Sequence, residues 1–265
     1  MGEVAKYPNG AFCWVDLGTT DVDGAKRFYG ELFGWEMEDI PTGSKDTYTL
    51  CRVHGKDVAG IYDQPEEERA VAPPHWNSYI SVDDVEAVTA KAKGLGPMSI
   101  TEPFDVMERG RMTVLQDPAG ALVSLWEANR NIGADLVNEV GAWTWCDLAT
   151  RDPVAATRFY TDLFGWRFDQ AGEGYWSISM DPYLIGGMRT MDRDPPETPP
   201  HWMPYFVLDN AEKAVARVGE LGGSVLAPPR DVPAGRFVVF ADPVGAFSAI
   251  FEMGPEGAAR GVDGS

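Results

Sequence analysis

Histidine and cysteine are scarce in this chain, with three of each in 265 residues. Cys13, Cys51 and Cys146 form no CxxC pair and no disulfide framework, and they read as small buried hydrophobes. Basic residues are few as well. Lys and Arg number 22 against 41 Asp and Glu, a formal net charge of −19. Such a field repels phosphate backbones and anionic lipids, so neither nucleic acid nor a membrane is expected as a partner. No apolar run approaches the ~20 residues of a membrane helix, and the opening MGEVAKYPNG has no apolar signal core. The composition reads as that of a soluble cytoplasmic protein. GxSxG, GxGxxG, P-loop and HExxH signatures are all missing.

What the chain does contain is a repeat. GAFCWVDLGTTDVDGAKRFYGELFGWEM (10–37) returns as GAWTWCDLATRDPVAATRFYTDLFGWRF (141–168), at an offset of 131 residues with about half the positions identical. PPHW (73–76) returns at 199–202, and GRMTVLQDPAGALVSLWE (110–127) returns as GRFVVFADPVGAFSAIFE (235–252). The expected domains are 8–130 and 138–254, joined near 128–140, with a disordered tail at 255–265.

Each copy opens with strand alternation, Trp14-Val15-Asp16-Leu17 and Trp145-Cys146-Asp147-Leu148. A helix follows, with Val22, Ala25, Phe28, Tyr29, Leu32 and Phe33 on one face. Asp21 and Asp152-Pro153 mark its start, Gly34 and Gly165 its end. Strands are expected at Trp35–Ile40, Thr47–Val53 and Val58–Tyr62. A second unit starts at Tyr79–Val82, where Asp83 and Glu86 have capping-box spacing, repeated by Asp209 and Glu212. Two strands flanking the turn Asp117-Pro118-Ala119-Gly120 close it. The pattern is strand–helix–three strands, four times over, an α+β class with helices on one face of each sheet.

This order resembles the vicinal oxygen chelate superfamily of glyoxalase I, bleomycin- and fosfomycin-resistance proteins and extradiol dioxygenases. The residues carrying the resemblance are Asp21…Phe28-Tyr29…Leu32-Phe33-Gly34, Val82-Asp83-Asp84-Val85 and Asp117-Pro118-x-Gly120, nearly all present twice. More narrowly, the chain resembles tandem two-domain actinobacterial members named hydroxylase or 27-kDa antigen-like. The resemblance implies four βαβββ modules forming two cupped eight-stranded mixed sheets, each cup usually holding a divalent metal on His, Gln or Glu.

Counting from the motifs, the family's ligand positions fall on Trp14, Asn77 and Ser124 in the first copy and Trp145, Met203 and Ala249 in the second. Gly60 and Gly186-Gly187 fall near the fourth position. None supplies a carboxylate or imidazole, and an indole is only a donor. No metal and no other cofactor is therefore expected. A relocated site would have to use His75 or His201 with Asp16 or Asp147; the plainer expectation is that these histidines hydrogen-bond the strand start.

Asp16 and Asp147 lie on the inward strand face and are the candidate acid/base residues. The alternative is a structural hydrogen bond or ion pair, for instance with Arg111 and Arg236, which also recur. Trp14, Asn77, Tyr79, Ser124, Trp126, Trp145, Met203, Tyr205 and Phe251 are the candidate ligand-binding residues, an aromatic-rich set suited to a flat or hydrophobic molecule. The expected function is metal-independent binding of an aromatic or hydrophobic metabolite or natural product. The alternative is a metal-free hydroxylase, isomerase or lyase of secondary metabolism. A monomer is expected, its internal pseudo-two-fold replacing the dimer interface of single-domain relatives.

Overall fold

The computed structural model describes residues 2–43, 47–96 and 101–255. Apart from Pro255, the expected tail lies outside the described residues. The first domain runs β1 (Phe12–Thr19), α1 (Val22–Phe33), β2 (Glu36–Pro41), β3 (Thr47–Val53), β4 (Lys56–Asp63), the short α2 (Glu66–Arg69), β5 (His75–Ser81), α3 (Val85–Gly94), β6 (Phe104–Val106), β7 (Gly110–Gln116) and β8 (Leu122–Ala128). The second runs β9 (Trp143–Thr150), α4 (Pro153–Phe164), β10 (Arg167–Gly172), β11 (Tyr175–Met180), β12 (Tyr183–Thr190), β13 (His201–Val207), α5 (Ala211–Glu220), β14 (Ser224–Val225), β15 (Arg230–Val232), β16 (Gly235–Ala241) and β17 (Phe247–Met253).

Strand order in the first sheet is β2-β3-β4-β1-β5-β8-β7-β6, so two four-stranded modules meet at the antiparallel β1–β5 seam. The second sheet repeats this order, but its outer strand is split into β14 and β15, giving nine strands where eight are expected. Pro228 and Pro229 fall in the break, where they have no N–H to give to a ladder.

The helices start and stop for local reasons. Asp21 Oδ1 accepts from Gly24 N (2.9 Å) and Asp152 Oδ1 from Ala155 N (2.9 Å). Gly34 and Gly165 end them in the left-handed region, at φ 73° and 75°. Helices α3 and α5 are each capped one residue later than expected. Asp84, not Asp83, accepts from Ala87 N, and Asn210, not Asp209, accepts from Lys213 N (2.8 Å each). The neighbouring strand sets this start: Glu127 and Glu252 reach across to accept from Val85 N and Ala211 N, each at 2.8 Å.

The recurring motifs form the joint between the domains. Tyr29 on α1 donates to Asp242 in the second domain's turn (3.2 Å), and Tyr160 on α4 donates to Asp117 in the first domain's turn (3.2 Å). Each tyrosine hydroxyl also accepts an indole N–H, from Trp76 (3.2 Å) and Trp202 (2.9 Å). Trp35 donates to Gly141 O (2.6 Å) and Trp166 to Gly10 O (2.9 Å). Phe33 meets Phe206 and Phe12 meets Trp202, at centroid distances of 5.0 and 4.9 Å. One hydrophobic core therefore serves both domains, and the three cysteines lie buried and unpaired. Among the described residues no helix is long and apolar enough to cross a membrane.

Candidate functional site

Alternation along β1 sends Cys13, Val15 and Leu17 into the shared core and Trp14 and Asp16 to the other face, the concave side. Register sets Asp16 beside Gly60 of β4 and Asn77 of β5, Trp14 beside Tyr79, and Tyr79 beside Ser124 of β8. Asp16 is 2% exposed. Its Oδ2 accepts from the hydroxyls of Tyr48 (2.9 Å) and Tyr79 (2.8 Å), and its Oδ1 from Asn77 Nδ2 (3.1 Å). Trp14 Nε1 donates to Tyr48 (2.8 Å). Asn77 also donates to the Tyr62 hydroxyl (2.9 Å), which donates to Glu68 (2.9 Å).

The ion pair weighed for Asp16 is not formed. Arg111 pairs with Glu86 and Asp105, and Arg236 with Glu212 and Asp231. Of the two structural alternatives the hydrogen bond is the one formed, with phenols and an amide as donors. Burial pushes the Asp16 carboxyl up to about 6; the three donors oppose the rise and Glu68 adds to it. Burial also raises Tyr48, Tyr62 and Tyr79, which therefore remain neutral donors.

The second domain repeats the cage. Asp147, 4% exposed, accepts from Tyr205 (2.7 Å), Trp145 Nε1 (2.7 Å) and Tyr175 (3.1 Å). Burial raises its carboxyl, opposed by those donors and by Arg189. Tyr175 corresponds to Tyr48 and Gly187 to Gly60. A Cβ at either glycine would fall on the tyrosine hydroxyl, so the missing side chain makes room for the cage. The copies diverge at its rim. Tyr62 and Asn77 become Arg189 and Met203, and Arg189 holds Asp194 through two bonds of 2.6 and 2.9 Å. Met203, Tyr205 and Ala249 form a separate apolar cluster with Trp145, Phe237 and Phe251.

Tyr48, Tyr62, Tyr175 and Arg189 escaped the sequence reading. Tyr48 and Tyr62 lie on expected strands not read for their inward face, whereas Tyr175 on β11 and Arg189 on β12 fall outside the strands delimited from the sequence. The available signal was the pair of recurring glycines, Gly60 and Gly187, each opposite an aspartate.

The residues present do not fit a divalent metal. Such an ion needs several convergent oxygen or imidazole ligands. Among the described residues no three His, Cys, Asp or Glu side chains cluster suitably. Both carboxylates already face phenol, amide or indole donors. His75 Nδ1 lies 2.8 Å from Pro73 O and His201 Nδ1 2.8 Å from Pro199 O, so each histidine ties down its strand start rather than meeting the aspartate. His201 Nε2 is buried with no partner among the described residues, and burial lowers that imidazole's pKa.

Trp14, Tyr79 and Trp126 are each 7% exposed and form the floor of the first cup. A groove of about 500 Å³ is lined by Ile40, Met107, Glu108, Arg109, Arg130 and Asn131. Ile40 is the cross-strand neighbour of Tyr48, and Asn131 O accepts from Trp126 Nε1 (2.8 Å), so the groove walls touch the cage's own strands.

Known proteins place this architecture. The chain is 39% identical over 262 residues to a Mycobacterium tuberculosis protein named "Putative glyoxylase CFP32", covering 97% of this chain and 100% of that one. It is 31% identical over 273 residues to the anthracycline biosynthesis protein DnrV of Streptomyces peucetius, covering 94% and 96%. Among solved structures it is similar to the Mn(II)-bound glyoxalase of Novosphingobium aromaticivorans, with a TM-score of 0.66 and 17% identity over 96% of this chain and 84% of that one. The 2,3-dioxygenase LapB of Pseudomonas sp. KL28 gives 0.64 and 15% over 92% of each. At these identities the structural likeness is one of fold. The sequence profile of one family matches residues 12–125 and 143–247. The chain belongs to the Glyoxalase/Bleomycin resistance protein/Dioxygenase superfamily, as two tandem domains of its fold.

Proposed function

We propose that the protein binds a planar aromatic or hydrophobic small molecule at the mouth of its first cup, without a metal, and does so as a monomer. The observation that carries this reading is the groove of about 500 Å³ walled by Ile40 and Met107 beside Trp126. Its size lies within the ~300–1,000 Å³ of ordinary ligand sites. Met107 is 50% exposed at φ 49°, an apolar side chain held toward solvent on the groove's rim. The floor aromatics are nearly sealed from solvent, so the ligand lies on Ile40 and Met107 instead. The relative DnrV is named for anthracycline biosynthesis, which supports the same ligand class. The test is titration of the protein with anthraquinone, read by tryptophan fluorescence and by calorimetry. Saturable one-to-one binding that Met107→Glu abolishes is expected; no saturable binding overturns the reading.

The second reading, a metal-free hydroxylase, isomerase or lyase, draws on the Asp16 carboxyl being pushed up to about 6, near the pH at which an acid/base group works best. Conversion of a bound compound that Asp16→Asn abolishes would favour it over binding alone.

A further inference from the structure

The groove differs from the rest of the surface in one respect. On a chain of net charge −19, two arginines, Arg109 and Arg130, line it. Arg130 is exposed and paired with Glu108. Arg109 is half-buried, and among the described residues its guanidinium makes no hydrogen bond and no ion pair. The other half-buried arginines, Arg52, Arg111, Arg189, Arg217 and Arg236, are all paired with carboxylates. Arg27, Arg193 and Arg230, which have no such partner among the described residues, are exposed. The second domain has no counterpart: Val232-Pro233-Ala234 stand where the first has Met107-Glu108-Arg109. A partly desolvated guanidinium beside apolar walls is a strong anion anchor, because its fork of donors matches a carboxylate.

Resting on the reading of the first cup as an aromatic-binding site, we infer that its ligand is a planar aromatic acid. Its ring lies between Ile40 and Met107, and its anionic group is held by Arg109. The overall negative field repels anions, so selectivity for the acid comes from Arg109 alone and not from steering.

Paired probes test this. Anthracene-2-carboxylate and anthracene-2-carboxamide share the ring system and differ in charge. Calorimetric titration of the full chain is expected to show the carboxylate bound about tenfold more tightly, the scale of a charge-assisted hydrogen bond. Arg109→Met should bring the carboxylate down to the level of the carboxamide and leave the carboxamide within about twofold. Arg109→Lys should keep part of the preference, and Arg130→Met should change little because Glu108 already engages that side chain. If both probes bind the parent equally, or if Arg109→Met weakens both alike, the inference fails while the aromatic-binding reading stands. If neither probe binds, the aromatic-binding reading itself falls.

Discussion

Asp16 allows a quantitative test of the cage. It is buried, and its carboxyl is raised from 3.8 to about 6. The folded protein therefore binds this proton more tightly than the unfolded chain does. A raised carboxyl means that stability is highest below the unfolded value and falls as pH rises through the window from about 4 to about 6. The shift corresponds to a loss on the order of 3 kcal/mol when the window has been crossed. Asp147, Asp117 and Asp242 are raised too, so the parent's overall profile sums several groups. Asp16→Asn isolates one of them. The amide keeps the carbonyl acceptor, costs some hydrogen bonding at every pH, and carries no proton linkage in this range. Urea unfolding of parent and variant from pH 4.5 to 8 is the assay. The parent should lose on the order of 2 kcal/mol relative to the variant across that range, because the window is already partly entered at pH 4.5. Parallel curves would show that the cage holds Asp16 at an ordinary pKa and would refute the reasoning.

Four further outcomes follow from the same geometry. Tyr29→Phe removes a donor to Asp242 and the acceptor of the Trp76 indole, and should lower unfolding free energy by about 2 kcal/mol in a denaturant titration. Gly60→Ala sets a methyl on the Tyr48 hydroxyl and should lower the thermal midpoint, with Tyr48→Phe in the same chain recovering part of the loss. Trp14→Ala, in a sealed floor, should behave as a cavity mutation costing about 3–5 kcal/mol. Incubation with a chelator should leave both the thermal midpoint and anthraquinone binding unchanged, and elemental analysis should find less than stoichiometric Zn, Ni, Fe or Mn; tight retention of one metal per chain would contradict the donor-set argument.

The fold was legible in the sequence because its signals are local and occur twice. Asp21 and Asp152 cap helices through their own backbone neighbourhood, Gly34 and Gly165 end them, and the Asp-Pro-x-Gly turns bond their own N–H groups. None of that needs a distant partner. Strand alternation likewise put Trp14 and Asp16 on one face of their strand without any knowledge of the sheet. What those side chains do there was not legible. The partners of Asp16 come from positions 48, 77 and 79, and only the β3-β4-β1-β5 order brings them to one carboxylate. Arg111, the nearest match by recurrence, is drawn away to Glu86 and Asp105. The helix starts at Asp84 and Asn210 were misplaced by one residue because Glu127 and Glu252, from another strand, take the first free N–H. The groove depends on the sheet's curl, which brings Ile40 of one edge strand toward Met107 and Arg109 beside the other. Capping and turn chemistry act over three or four residues and can be read along the chain. Burial of a charge, its hydrogen-bond partners and an unpaired guanidinium beside a groove arise only when distant strands meet, so the tertiary structure alone decided them.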